Sequence, residues 1–287
     1  VLESDIIPYH LSSPPGERIV VLAPHPDDET LGCGGTIRLL RKSGKKVKVL
    51  FLTSGDQADP SNKLSKILHS ENPPNPPLLK GGEGGFSDRS HLTEYAILRE
   101  REAIKAMKIL GVSDYEFLRF PDRKLDIYFE SALGRLLEIM KQYAADIIYS
   151  PSMIELNPDH RTTAALAMDI QKIVMKTDAP SPLPPPRGGR ARAGVVPVKI
   201  LFYEVATPLR PNVLIDITST HKSKRKAVKT YESQLRITPY LTYIAALNEV
   251  RTLTVSGAKV VEAFWMAEFP LRAEDITGWL SYQTPVS

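Results

Sequence analysis

Short apolar, β-branched runs alternate with segments of helical period along most of this chain, and that alternation restricts it to a mostly parallel sheet covered by helices on both faces. Residues 19–24 (IVVLAP) and 47–53 (VKVLFLT) are two such runs, and Ile37, Leu39 and Leu40 between them suit a helix, which makes a βαβ unit. Ala96, Ala103, Met107 and Leu110 recur at helical intervals before Gly111, a helix stop signal. The pattern continues through a strand at 115–120, a helix at 129–143 and a strand at 146–150. A helix marked by Leu166, Ile170, Ile173 and Val174 follows His160, and strands are expected at 199–205 and 213–217. From His221 the chain reads as a lysine-rich helix with a solvated face, a second helix through Leu247 and a short strand at 258–264. The expected fold class is α/β, a Rossmann-like, doubly wound, mostly parallel sheet with helices on both faces.

At 287 residues the chain suffices for one large domain or two modest ones. The C-terminal part carries no independent core signal, so one domain over 1–287 is expected. Two Pro/Gly-rich stretches, at about 71–90 and 179–194, bury too little apolar surface to repay ordering and read as loop insertions. The net charge of +4 does not imply nucleic-acid binding, because much of the basic excess lies in expected loops and exposed helix faces. Cys33 is the only cysteine, which excludes an intramolecular disulfide and any multi-cysteine metal site; burial as a small apolar residue is its expected role. With neither an apolar run of about 18 residues nor the residue order of a signal peptide, a cytoplasmic protein without a membrane span is expected.

The chemistry concentrates in residues 20–36, VVLAPHPDDETLGCGGT. His25, Asp27 and Asp28, with Glu29 behind them, follow directly on a buried strand, and such a cluster is costly against a core unless a cation organises it. Asn157, Asp159 and His160, in NPDHR, follow the strand at 146–150 in the same way. In a doubly wound sheet both clusters fall beyond the carboxyl ends of strands, where ligands bind, so they are expected to converge. Imidazole and carboxylate suit zinc or a similar divalent ion. Each cluster alone also has an account as a turn or a helix cap, Asp159 for the helix after it, and Ser54, Gly55 and Asp56 line a pocket or make a turn. The glycines at 32, 34 and 35 match neither nucleotide-binding loop and are read as a close backbone approach that begins a helix.

HPDDE followed by GCGGT, a later PDH, and R-x-x-E before LGV resemble the LmbE-like, or PIG-L, family of zinc-dependent N-acetylglucosaminyl deacetylases. YEVATPLRPNVLIDIT, YESQL and VEAF are similar to that family's later blocks, so the resemblance covers most of the chain outside the two insertions. It implies that His25, Asp28 and His160 hold zinc, and that Asp27 is the general base. It also implies that Arg99 contacts the sugar or supports the pocket with Glu102 as its companion, and that Asp122, in FPD, lies near the substrate. Asp159 is then a supporting residue, and Tyr231, Ser233 and Gln234 belong to a C-terminal block. Where many members have His-Pro-Asp-His, this chain has Asn157, an amide that donates a hydrogen bond to an oxyanion but delivers no proton. Asp27 then serves as base and, once protonated, as acid.

The implied reaction removes the acetyl group of an N-acetylglucosamine-containing small molecule and needs no organic cofactor. The alternatives are the same chemistry on another sugar or thiol-sugar amide, and a non-catalytic, metal-containing sugar-binding module. The intact Asp27 argues against the last, since a structural site closes its fourth position. The native metal is open between zinc and other divalent ions, and a homo-oligomer is compatible with the sequence.

Overall fold

A computed structural model describes residues 10–58, 92–177 and 198–267; both Pro/Gly-rich stretches lie outside these residues. Strand β1 (Arg18–Ala23) leads into helix α1 (Asp28–Lys42) and strand β2 (Lys46–Thr53), the βαβ unit expected at the start. A one-turn 3-10 helix (Asp56–Ala58), α2 (Glu94–Leu110), β3 (Asp114–Phe120), α3 (Phe129–Tyr143), β4 (Ile147–Pro151) and α4 (Pro158–Thr177) continue the alternation. Then come β5 (Lys199–Tyr203), β6 (Val213–Asp216), α5 (His221–Val228), α6 (Glu232–Leu235), α7 (Tyr240–Val250) and β7 (Val261–Met266). The last strand starts three residues later than expected, because its pairing with β6 is set by Val261 opposite Asp216.

The seven strands lie in the order β3-β2-β1-β4-β5-β7-β6. The first five are parallel, and β7 runs antiparallel to both β5 and β6. Adjacent β1 and β4 mark where the chain reverses its direction of growth across the sheet, and the crevice beyond their carboxyl ends is the ligand position of such folds.

Alternate residues of each central strand enter different cores. Ile19, Val21 and Ala23 of β1 pack with Val49, Phe51 and residues of α1, α2 and α5 on one face. Val20 and Leu22 pack with Leu50, Leu52, Leu136 and Ile170 on the other, under α3 and α4. Burial on both faces is why these strands read as continuous apolar runs instead of alternating ones.

Helix α1 breaks at Cys33 (φ −137°, ψ 21°), and the Glu262 carboxylate of β7 accepts the amides of Gly35 and Thr36, both at 2.8 Å, capping the second half as a new helix. Lys224 closes this device, its Nζ 2.6 Å from Glu262 and 3.0 Å from Asn248 Oδ1. It is 1% exposed, so the lysine-rich helix does not keep all its charges in water as expected: the Glu262 carboxylate needs a buried counter-charge. The glycines allow α1 to lie close to the sheet. A Cβ at Gly32 would stand 2.2 Å from the Tyr203 ring, which is itself fixed by a 2.7 Å hydrogen bond to the Leu22 carbonyl. Gly32→Ala is therefore expected to destabilise the protein by about 1–3 kcal/mol, read as a lower urea midpoint; an unchanged midpoint would mean that α1 has room to withdraw.

Candidate metal centre

The loop from β1 to α1 and the loop from β4 to α4 meet at the crevice, and with them three donor atoms. His25 Nδ1 and Asp28 Oδ2 are 3.0 Å apart, His160 Nε2 lies 3.2 Å from that oxygen, and the two imidazole nitrogens are 3.3 Å apart. A tetrahedral ion with bonds of about 2.05 Å separates its ligands by about 3.3 Å. This triangle therefore fits such an ion without rearrangement, and all three side chains are buried, as ligands of one ion. The Asp28 carboxylate also accepts the His25 backbone amide at 2.9 Å, which fixes the rotamer it presents.

Carboxylates also face the outward nitrogens of the imidazoles. His25 Nε2 lies 3.2 Å from Asp122 Oδ1 and 3.4 Å from Asp159 Oδ2, contacts that select the tautomer leaving Nδ1 free for an ion. Asp122 accepts the Gln57 amide at 2.8 Å, and Asp159 accepts those of Arg123 and Leu125, so the loops after β2 and β3 are tied to the same point. Asp159 does not cap α4. Asn157 Oδ1 accepts the Asp159 amide at 2.9 Å instead, because Asp159 turns inward toward His25. With its oxygen so engaged, half-buried Asn157 retains its amide nitrogen as the donor.

Glu155, not anticipated from the sequence, is the counterpart on the other ligand. Buried to 1% exposure, it accepts the amides of Val205, Ala206 and Thr207 and sets Oε2 3.7 Å from His160 Nδ1. No local pattern in MIEL marks it, since its partners come from the segment after β5, 50 residues on.

Asp27 sits at the N-cap of α1, and its carbonyl accepts the amides of Thr30 and Leu31, but its side chain makes no cap. An aspartate in that position ordinarily accepts a helix amide. Here the carboxylate turns away to Arg99, whose Nη2 lies 2.9 Å from Oδ2, and the backbone takes φ 147°, ψ −29°, a conformation costly to a residue with a Cβ. Arg99 is itself buried, donating to the Pro26 carbonyl at 2.6 Å and the Gly55 carbonyl at 2.7 Å. The residues after β2 are thus tied through Arg99 to the β1 loop, and Gly55 suits that place because a Cβ would meet Arg99 Nη1 at 2.5 Å. Glu102, three residues further along α2, accepts the Ser233 amide and hydroxyl at 2.9 and 2.6 Å. Cys33 is buried with its thiol donating to the Glu29 carbonyl, and is not among the clustered ligands.

Burial raises the Asp27 pKa, and the Arg99 guanidinium works against that shift. Burial would lower the pKa of His160, but Asp28 and Glu155 outweigh it and raise it to about 9. For His25, too, burial is overcome by Asp122, Asp159 and Asp28, and its pKa is held well above the usual histidine range. The carboxylates thus favour the protonated form of each imidazole in the metal-free protein, and an ion at the triangle competes with those protons. Zinc addition at pH 7 is therefore expected to release protons, and fewer of them as the pH rises past the His160 pKa of about 9. Calorimetry in buffers of different ionisation enthalpy reads this, and zero release would mean that zinc binds elsewhere.

The family model for GlcNAc-PI de-N-acetylase, PIG-L, matches residues 20–171, the segment that carries every residue of the ligand triangle. Diacetylchitobiose deacetylase of Thermococcus kodakarensis is 26% identical over 221 residues, 76% of this chain and 70% of that protein. The 4-oxalmesaconate hydratase of Pseudomonas putida is 24% identical over 83% of this chain and 81% of its own. The chain spans about half the length of two further curated relatives, 56% and 53%. In structure, a conserved protein of Thermus thermophilus superimposes with a TM-score of 0.63 at 23% identity, covering 89% of this chain and 96% of that one. At that identity the likeness supports the α/β fold alone.

Proposed function

The chain belongs to the PIG-L family of GlcNAc-PI de-N-acetylases, and from that premise we propose that it hydrolyses the N-acetyl group of an N-acetylglucosamine-containing small molecule, with zinc held by His25, Asp28 and His160. The observation that carries this reading is the ligand triangle with a carboxylate, Asp27, beside it that neither caps its helix nor joins the ligand set.

His25, Asp28 and His160 would hold a divalent ion, which when bound would supply Lewis-acid chemistry to water and the acetyl carbonyl. Asp27 takes a proton from the attacking water as its oxygen bonds to the acetyl carbon. Arg99 orients the carboxylate for that transfer, through the 2.9 Å contact to one of its oxygens. The Asn157 amide nitrogen donates toward the oxygen that gains charge. The C–N bond then breaks, the proton held by Asp27 passes to the leaving nitrogen, and acetate and the free amino sugar are the products. Asp122 and Asp159 hold His25, and Glu155 faces His160, so the ligands need little reordering.

A second reading draws on the hydratase, because the match covers more than four-fifths of both chains. The same base and ion would then add water to a carbon–carbon double bond conjugated to a carboxylate. Metal-free protein reloaded with one equivalent of zinc, offered a panel of N-acetylglucosamine glycosides and an unsaturated dicarboxylic acid, separates the two. Zinc-dependent acetate release supports deacetylation, while loss of the acid's ultraviolet absorbance without acetate replaces it by hydration. Among the described residues no helix is long and apolar enough to cross a membrane, which favours a substrate met in water.

A further inference from the structure

Two buried groups near the site have no part in the reaction as derived: Glu29, which is 0% exposed, and Tyr231, which is 1% exposed. Tyr231 Oη donates to Glu29 Oε1 at 2.5 Å, and the Thr30 hydroxyl donates to the same oxygen. The other oxygen, Oε2, accepts the backbone amide of Asp27 at 3.2 Å. Among the described residues this is the one hydrogen bond in which the Asp27 amide is the donor, and Asp27 is the residue with the costly backbone conformation. A buried carboxylate held by hydroxyl and amide donors instead of a cation is expensive unless it keeps something in place.

The partners of α2 complete the path. Arg99 grips Asp27 from the carboxylate side, and Glu102, three residues on in the same helix, grips Ser233 of α6 through amide and hydroxyl. Ser233 is two residues from Tyr231. The contacts therefore close a ring: Asp27, Arg99, Glu102, Ser233, Tyr231, Glu29 and back to Asp27.

We infer that this ring is a positioning device, in which Glu29, Tyr231, Glu102 and Ser233 hold the Asp27 backbone in its positive-φ conformation and so aim its carboxylate away from the helix end. The inference rests on the reading of Asp27 as the base. None of the four is a catalytic residue, since each acts through Asp27. The geometry has two consequences. Cutting the ring at any one contact releases the same constraint, so two cuts add little to one. And the damage falls on the reacting geometry, not on the ligand triangle, whose side chains make other contacts.

The test uses the zinc-loaded full chain with Tyr231→Phe, Ser233→Ala and the double variant, measuring kcat and KM for acetate release, zinc per chain, and amide hydrogen exchange of the segment 24–31. Tyr231→Phe is expected to lower kcat by roughly 10–100-fold, the cost of a small misplacement of a reacting group, with KM within about twofold. Zinc stays at one per chain, exchange in 24–31 accelerates, and the double variant is no slower than about twice the worse single one. Wild-type kcat and wild-type exchange in Tyr231→Phe would overturn the inference, as would multiplicative losses in the double variant. If Tyr231→Phe does not fold, Ser233→Ala is read by the same criteria. If the wild-type protein releases no acetate, the functional reading fails by itself, and exchange at 24–31 still decides whether the ring holds Asp27.

Discussion

Asp27→Asn is expected to lower turnover by roughly 10²–10⁴-fold, the usual weight of a general base, while one zinc per chain remains bound. The substitution keeps the size and planarity of the side chain and removes only its capacity to take a proton. The ligands His25, Asp28 and His160 make their contacts independently of the Asp27 carboxylate, so the ion has no reason to leave. The loss is expected in kcat, with KM little altered, since the group acts on water in the transition state. Arg99 loses its anionic partner inside the protein, so some thermal stability goes too, although the Pro26 and Gly55 carbonyls continue to accept from it. Measuring zinc content and the melting temperature with kcat keeps these effects apart. Activity retained with an unchanged pH profile would remove Asp27 from the mechanism and leave Asn157 and the ion to account for catalysis.

His160→Ala is expected to weaken zinc binding on the order of 10²–10³-fold and to abolish turnover under metal-limited conditions. The size follows from sharing the ~10–16 kcal/mol of a structural zinc site among its four ligands. It is the informative ligand to remove, because His25 and Asp28 come from one loop and brace each other, whereas His160 is the ligand of that triangle from the far side of the crevice. Equilibrium dialysis against a zinc buffer measures the change. Undiminished affinity would mean that the ion sits instead among His25, Asp122 and Asp159, the other buried group able to hold one among the described residues.

The first five strands and the helices between them were legible because each makes its own local signal, an apolar run or a helical period. The convergence of HPDD with NPDH was legible too, since parallel strands put every carboxyl end on one edge of the sheet. What was not legible depends on partners distant in sequence. The antiparallel placement of β7 between β5 and β6 is a matter of which edge is free when the chain returns. Glu155 reads as an ordinary loop acid until the three amides of 205–207 arrive beside it. Lys224 reads as one solvated lysine among several until Glu262 appears beneath it. Arg99 fits the family pattern as a pocket residue, but its burial against Asp27, Pro26 and Gly55 depends on how α2 packs over the β1 loop.

The ligand triangle joins residues 135 positions apart across the boundary between β1 and β4. The long chain between them must find its place in the sheet before the triangle exists, so the unfolded chain offers an ion only the local pair His25 and Asp28. An ion held at the triangle would then bind late on the folding route, after the non-local pairing that sets the rate. Its free energy acts on the native side of the barrier, slowing escape from the folded state while leaving the speed of folding almost untouched. If the triangle holds its ion in the cell, metal shortage would leave the rate of folding unchanged and shorten the life of the folded chain.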